Sequence, residues 1–316
     1  MMIQKWKTCG VTRQGKDHIA AGVTCQDGVA SLSQNGVHAI ALSDGGGSRR
    51  YSEIGSAVAT RVACELLTRK FEEYYNRMEA IAASPARAEG LLHALRLEIL
   101  DAVLAALRAE VTAERTLRDF GCTLQFAAVC DGRYFVGHIG DGVIAALYQR
   151  GLSRRAEVLS HPENGGAPNI TFFVTDHDAC EHLRLSHGEC RQLEGILMMS
   201  DGPEEMLYSP VGGLHANTRK LFDNFNGVGQ AKYTAALTRF LANTVAEHSY
   251  DDLSLNLLYL ECVDEAKLDS DYRDELLAGI TARSQVRRVS SYAWLIDPTV
   301  KPEGGSDLPF LKGGVV

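Results

Sequence analysis

Short apolar stretches that end at glycine or aspartate divide much of the chain into predicted strands. Residues 37–43 are largely apolar and stop at Asp44, and residues 195–200 are apolar and stop at Asp201. Asp131-Gly132 is typical of the tight turn of a β-hairpin. The strands predicted in the same way are 37–43, 123–129, 134–139, 143–148, 170–175, 195–200 and 253–260.

Helical spacing of apolar residues predicts three helices between these strands. The first runs from Ser52 to about Phe71, because apolar residues recur there every four positions. The second begins at Ser84-Pro85 and carries an apolar stripe over 91–111 that we expect to pack against a sheet. The third covers 231–246. Residues 150–168, with their prolines, glycines and charges, are predicted to form an exposed segment.

Helix pairs embedded among antiparallel-type strands predict an α+β fold with two packed antiparallel β-sheets, a β-sandwich, flanked by α-helices. We expect one main domain over residues 1–262 and a C-terminal extension over 263–316, where charge and then proline and glycine dominate. Within the extension, residues 287–291 (RRVSS) resemble the target of a basophilic kinase, although a solvated basic stretch is the favoured explanation.

Composition and charge exclude several classes of function. The 316 residues carry a formal net charge of −8, so a broad positive surface for nucleic acid is not expected. No run of about 18 apolar residues is present, which excludes a membrane-spanning helix. The N-terminal residues lack the apolar core of a signal peptide, which predicts a cytoplasmic location. The eight cysteines include no C-x-x-C pair and no Cys-x5-Arg loop, which argues against a zinc site and a thiol-based phosphatase.

The candidate chemistry lies in aspartates at the ends of predicted strands. Asp44, Asp141 and Asp201 each follow an apolar run and precede a glycine, while Asp27 precedes the first clear strand and Asp251 the last. If these ends meet, each close carboxylate pair costs roughly 4 kcal/mol at 4 Å in an effective dielectric of 20. Protonation or bound cations relieve that repulsion, and an oxygen-only donor set suits Mg²⁺ or Mn²⁺.

A competing interpretation applies to each aspartate alone, because an Asp-Gly pair is more often a turn than a ligand. Asp131-Gly132 shows this, since it has the same dipeptide in a hairpin context. The order of the motifs carries the stronger signal. Eight short segments occur in the order found in one family, over about residues 18–262: CQDG at 25–28, ALSDGGG at 41–47, SEIGSA at 52–57, GCTL at 121–124, HIGDG at 138–142, NIT at 169–171, MSDG at 199–202 and DDLS at 251–254.

With these segments the chain resembles the type 2C metal-dependent serine/threonine protein phosphatases, in a bacterial-type branch. The resemblance implies that Asp44 bridges two Mn²⁺ or Mg²⁺ ions, that the Gly45 carbonyl binds one of them, and that Asp201 and Asp251 complete the other. It further implies that Asp27 acts through a metal-bound water and that Asp141, with Asp201, holds a third, looser ion.

The implied activity is hydrolysis of phosphoserine and phosphothreonine by in-line attack of a metal-bridging water or hydroxide, with Asp44, Asp201 and Asp27 as the catalytic aspartates. The implied partner is a phosphorylated protein, such as a cognate Ser/Thr kinase or its target. No nucleic acid or membrane partner is expected.

The chain departs from the family pattern at two functional positions. Gly46 stands where many members carry a histidine that is a candidate general acid, so the proton donor is unassigned. The family's phosphate-binding arginine has no clear counterpart, and His18 and Arg13 are the nearest candidates. These departures leave open a catalytically weak pseudophosphatase that acts as a binding or regulatory module. A phosphoesterase for small metabolites is a further alternative, which differs from the protein phosphatase only in its substrate.

Overall fold

The computed structural model describes residues 2–150, 153–165, 171–216, 218–225 and 227–264. These residues form two five-stranded antiparallel sheets that pack face to face between outer layers of helices. The predicted α+β sandwich is therefore confirmed. The predicted C-terminal extension lies outside the described residues from position 265 onward, as does the 287–291 stretch.

The two sheets take their strands from distant parts of the chain. Sheet A has the strand order β1 (Met2–Arg13), β12 (Leu253–Asp264), β9 (Leu193–Met199), β6 (Val143–Arg150) and β7 (Ser153–Ser160). Sheet B has the order β2 (Gly28–Gln34), β3 (Val37–Ser43), β4 (Leu124–Cys130), β5 (Arg133–Ile139) and β8 (Arg184–Glu189). A small hairpin, β10 (Tyr208–Ser209) and β11 (Gly213–Leu214), stands apart from both.

Alternate residues of a central strand point to opposite faces of its sheet and so belong to two different hydrophobic cores. In β3, Ile40 and Leu42 face sheet A, whereas Ala39 and Ala41 face the helices on the other side. All four are fully buried, which explains why the strand reads as a continuous apolar run rather than an alternating one. The inter-sheet core is completed by residues such as Ile144, Ile196 and Leu258 from sheet A.

Helices cover the outer faces of the sandwich. The helices are α1 (Lys16–Ala21), α2 (Ser52–Ala83), α3 (Ala88–Ala109), α4 (Ala179–His182), α5 (Asp201–Leu207), α6 (Thr218–Phe225) and α7 (Gln230–Asn243). Helix α2 lies on sheet B, and α6 and α7 lie on sheet A. None of the described helices is both long enough and apolar enough to cross a bilayer.

Two helix predictions need correction. Helix α2 continues for twelve residues past the predicted end at Phe71, because Tyr74, Met78 and Ile81 extend its buried stripe. Aromatic and methionine residues replace the aliphatic ones there, which hid the pattern. The stripe of α3 is buried mainly against α2 rather than directly against a sheet, so the two helices form a hairpin above sheet B.

Two segment predictions were wrong. Residues 150–168 are not simply exposed, since Ser153–Ser160 forms the edge strand β7 beside β6. The strand predicted at 170–175 is not formed by the described residues 171–175: Thr171 makes an isolated bridge to Asn164, and the chain then turns. Val174 instead donates its amide to the Cys122 carbonyl at 2.9 Å, which holds this segment over the rim of the sandwich.

Candidate metal centre

The strand register brings the predicted aspartates to one rim of the sandwich. In sheet B the start of β2 pairs with the end of β3, Gly28 opposite Ser43, which places Asp27 and Asp44 at the same edge. In sheet A the end of β9 pairs with the starts of both β6 and β12, since Met199 stands opposite Val143 and Leu255. The residues just beyond these ends are Asp201, Asp141 and Asp251.

Four of these carboxylates line one cavity of about 540 Å³: Asp44, Asp141, Asp201 and Asp251. The backbone of Gly45 lines it as well. A Cβ atom on Gly45 would lie 2.6 Å from the Gln26 carbonyl oxygen, so only glycine allows the loop after β3 to approach the loop before β2 this closely. Asp27 is not among the described residues that line this cavity; Ser200 Oγ donates to its Oδ2 at 3.0 Å.

Backbone pairing fixes the position of Asp44. Its amide donates to Thr123 Oγ1 at 2.9 Å, and the Thr123 amide donates back to the Asp44 carbonyl at 2.8 Å. Ser43 Oγ adds a bond to the Thr123 carbonyl at 2.5 Å. The loop that follows β3 is therefore joined to the segment that precedes β4, and this pairing fixes the backbone of Asp44.

Burial and mutual repulsion raise the pKa of the acidic groups. Burial raises the pKa of Asp44 well above its ordinary value, and the charges of Asp27, Asp201, Asp141 and Asp251 raise it further. The pKa of Asp27 rises to about 8, first through burial and then through Asp252 and Asp201. Burial, then Asp141 and Asp251, raises the pKa of Asp201 to about 6.

The donor atoms fit a hard divalent cation. Oδ1 atoms of Asp27, Asp141 and Asp201 are buried without a hydrogen-bond partner, and all the acidic donors are oxygens. In the described part of the chain, however, no three His, Cys, Asp or Glu side chains already stand as a finished ligand set. The carboxylates thus surround one cavity without converging on one point.

Asp252 is a site residue that sequence reasoning missed. It is buried and accepts the backbone amides of Gly15 and Gln26, each at 2.6 Å, and its Oδ2 lies 3.0 Å from His18 Nδ1. It therefore fixes two loops around the cavity. The sequence signal for it is the adjacent pair Asp251-Asp252, in which the first aspartate is exposed and the second is buried.

The two phosphate-binding candidates differ in position. His18 lines the acidic cavity and also the adjoining one formed with Tyr250 and Gly202. Arg13 is the last residue of β1, opposite Leu253, and it is not among the described residues that line either cavity. The structure instead places Arg49 on the acidic cavity, a residue to which no sequence motif drew attention.

The described residues thus form an α+β sandwich with helices on both faces and an acidic cavity at one rim. A model of the protein phosphatase 2C family matches residues 14–242, which is most of the chain. The chain belongs to the protein phosphatase 2C family.

Solved structures share this fold at low sequence identity. The serine/threonine phosphatase Stp1 from Staphylococcus aureus is 15% identical with a TM-score of 0.52, covering 82% of this chain and 96% of that one. A serine-threonine phosphatase 2C from Toxoplasma gondii is 10% identical with a TM-score of 0.54, covering 83% and 99%. PppA, described as a regulatory component of the T6SS in Pseudomonas aeruginosa, is 16% identical with a TM-score of 0.50, covering 82% and 100%. A comparison with curated protein sequences gave no significant match.

Proposed function

We propose that this protein is a metal-dependent serine/threonine protein phosphatase that hydrolyses phosphoserine and phosphothreonine in a cytoplasmic phosphoprotein. One observation carries the proposal: four aspartates from separate strand ends surround a single cavity, and buried carboxylate oxygens there have no partner. A cognate Ser/Thr kinase or its target is the natural substrate class.

The residues that would hold the ions are Asp44, the Gly45 carbonyl, Asp201 and Asp251, with Asp141 and Asp27 contributing to the same field. Two or three Mn²⁺ or Mg²⁺ ions would supply the positive charge that binds phosphoryl oxygens and the acidity that generates a water nucleophile. The protein's own part is positional. Thr123 fixes Asp44, and Ser200 holds Asp27. Asp252 anchors the backbone at Gly15, just before the helix α1 that carries His18, and at Gln26.

The competing function is that of a catalytically weak pseudophosphatase that binds a partner. Two observations favour it: Gly46 replaces the expected histidine, and the carboxylates do not yet form a finished ligand set in the described residues. This alternative predicts weak binding of divalent cations and no metal-dependent turnover.

Turnover by the purified full-length chain tests the proposal. After EDTA treatment, millimolar Mn²⁺ should restore hydrolysis of both p-nitrophenyl phosphate and a phosphothreonine peptide. Asp201→Asn should lower kcat at least about 100-fold, since even the loss of a residue that only orients a metal ligand costs about 10–100-fold in metal affinity or activity. Asp131→Asn is the matched control, because Asp131 occupies a hairpin turn away from the cavity. Absence of turnover of either substrate in the presence of millimolar Mn²⁺ would leave the pseudophosphatase function as the better account.

A further inference from the structure

Arg49 brings positive charge into a cavity that is otherwise strongly acidic. It follows the Gly45–Gly47 loop after β3 and shortly precedes α2, and its side chain lines the cavity with Asp44 and Asp201. Of the described residues around this cavity, it is the only lysine or arginine. A phosphate ester entering here would meet at least four carboxylates and this one permanent cation.

The Arg49 side chain is held in place by contacts that leave its charge free. Its guanidinium carbon lies 5.2 Å from the centroid of the Phe173 ring, which is a cation–π arrangement. Its other side lies against Gly121, where an added Cβ would stand 2.9 Å from Arg49 Nε. The backbone amide of Arg49 donates to the Gly46 carbonyl at 2.8 Å. The guanidinium is therefore positioned between a loop of sheet B and the segment that crosses the rim.

The same guanidinium has donor capacity that the described residues do not use. Its Nε is buried without a hydrogen-bond partner, and no carboxylate in the described ranges forms a salt bridge with it. Asp119 feels the charge of Arg49, but its Oδ2 already accepts hydrogen bonds from the Thr116 amide and hydroxyl at 2.8 and 2.7 Å. A buried donor that lacks a partner costs free energy, which binding of an anion would recover.

We propose that Arg49 binds the phosphoryl oxygens of the substrate, a role for which Arg13 and His18 are the candidates in the sequence. This proposal rests on the proposed function. A guanidinium offers two parallel N–H donors that match two oxygens of a phosphate, and it stays charged at every working pH. Arg13 is absent from the described lining of the cavity, so it is poorly placed for that contact.

Affinity for inorganic phosphate, the reaction product, tests this assignment. The probe is inorganic phosphate titrated into the full-length protein with Mg²⁺ by calorimetry, together with its inhibition constant against p-nitrophenyl phosphate. Arg49→Ala should raise both constants about 10-fold or more, as expected for a lost charge-assisted hydrogen bond. Arg49→Lys should give an intermediate value, because lysine keeps the charge and loses the two-donor fork.

Arg50→Ala is the matched control. Arg50 is adjacent in sequence, but its guanidinium carbon lies 5.4 Å from the Tyr51 ring centroid, and Arg50 is not among the described residues that line the cavity. It should leave phosphate affinity unchanged, as should Arg13→Ala. Equal melting temperatures of all variants would establish that folding is not the cause.

The outcomes separate this inference from the proposed function. If the wild-type chain turns over phosphopeptide and Arg49→Ala keeps its phosphate affinity, the inference is wrong and the phosphatase function stands. The inference is also wrong if Arg49→Ala raises KM for the peptide alone, because Arg49 would then contact the polypeptide rather than the phosphate. If the wild type binds phosphate through Arg49 without hydrolysing either substrate, the inference is supported and the proposed function fails. A chain that neither binds nor hydrolyses phosphate overturns both.

Discussion

At the scale of single residues, the aspartates of the cavity repel one another, and bound cations would reduce this repulsion. Asp44 is at the centre of this arrangement, since Asp27, Asp201, Asp141 and Asp251 all raise its pKa in addition to burial. Each of these carboxyl groups would lose its proton more easily if the neighbouring carboxylates were absent. Asp44 therefore has opposite effects on stability and on function.

Replacing Asp44 by asparagine should reveal both effects. We expect Asp44→Asn to abolish Mn²⁺-dependent turnover, and also to raise the melting temperature of the metal-free protein at pH 8, because the substitution removes the charge that its neighbours oppose. Differential scanning calorimetry in EDTA, with parallel Mn²⁺ titrations, measures the two effects. Asp131→Asn serves as the control for a neutralised carboxylate outside the cavity. A metal-free variant less stable than the wild type would show that Asp44 is a structural anchor instead.

At the scale of secondary-structure elements, the long strand pair β1–β12 carries a buried ion pair on the face covered by α6 and α7. Lys7 Nζ and Glu261 Oε1 are 2.6 Å apart, and both side chains are almost wholly buried. Lys7 also donates to the Val228 carbonyl at 3.0 Å and lies 4.2 Å from the Phe225 ring centroid, while the Gly227 amide donates to Glu261 at 2.7 Å. The pair thus ties sheet A to the segment between α6 and α7.

Breaking this pair from one side should be far more costly than replacing it. Lys7→Met leaves the Glu261 carboxylate buried without the opposite charge of Lys7, and we expect it to lower the free energy of unfolding by about 3–5 kcal/mol. The double variant Lys7→Met/Glu261→Leu should recover most of that loss, because no unpaired charge remains. Urea denaturation of the four proteins of this double-mutant cycle gives the coupling free energy. If the loss of stability in the double variant equals the sum of the losses in the two single variants, pairing of charge is not the main contribution of Lys7 and Glu261 to stability.

At the scale of the whole molecule, stability depends on whether protons or cations neutralise the rim. The pKa of Asp201 is about 6 and that of Asp27 about 8 in the folded protein, both above the ordinary value of 3.8. The folded state therefore binds more protons than the unfolded state, and this contribution to stability is complete below about pH 4. It is lost as the pH rises through about 6 and then about 8.

Divalent cations should consequently stabilise the protein more at pH 8 than at pH 5. With Mn²⁺ at about 100 times its Kd, the expected gain is about 2.7 kcal/mol, which corresponds to about 5–10 °C at 2–4 °C per kcal/mol. Thermal unfolding in EDTA and in Mn²⁺ at both pH values measures the difference. Equal stabilisation at the two pH values would show that the carboxylates at the rim are not the groups that the cation neutralises.

The sequence by itself determined the elements with strong local signals and the identity of most acidic residues at the rim. Apolar runs such as 37–43 could be recognised because a strand buried on both faces carries apolar residues at nearly every position. The Asp131-Gly132 turn could also be predicted, since both residues take positive φ values, 45° and 74°, that this dipeptide tolerates. The order of the aspartate motifs along the chain indicated the family.

Only the tertiary structure decided what depends on contacts between distant segments. Strand β1 was not predicted because Lys7 interrupts its buried face, and a lysine is buried there only when Glu261, 254 positions away, compensates its charge. Asp252 was missed because its partners, the amides of Gly15 and Gln26, are remote in sequence. Arg49 was missed for the same reason, since Phe173 and Gly121 give it its position at the cavity. Local sequence patterns indicate which residues are buried. Only contacts between distant segments supply the partner that makes burial of a charged side chain tolerable.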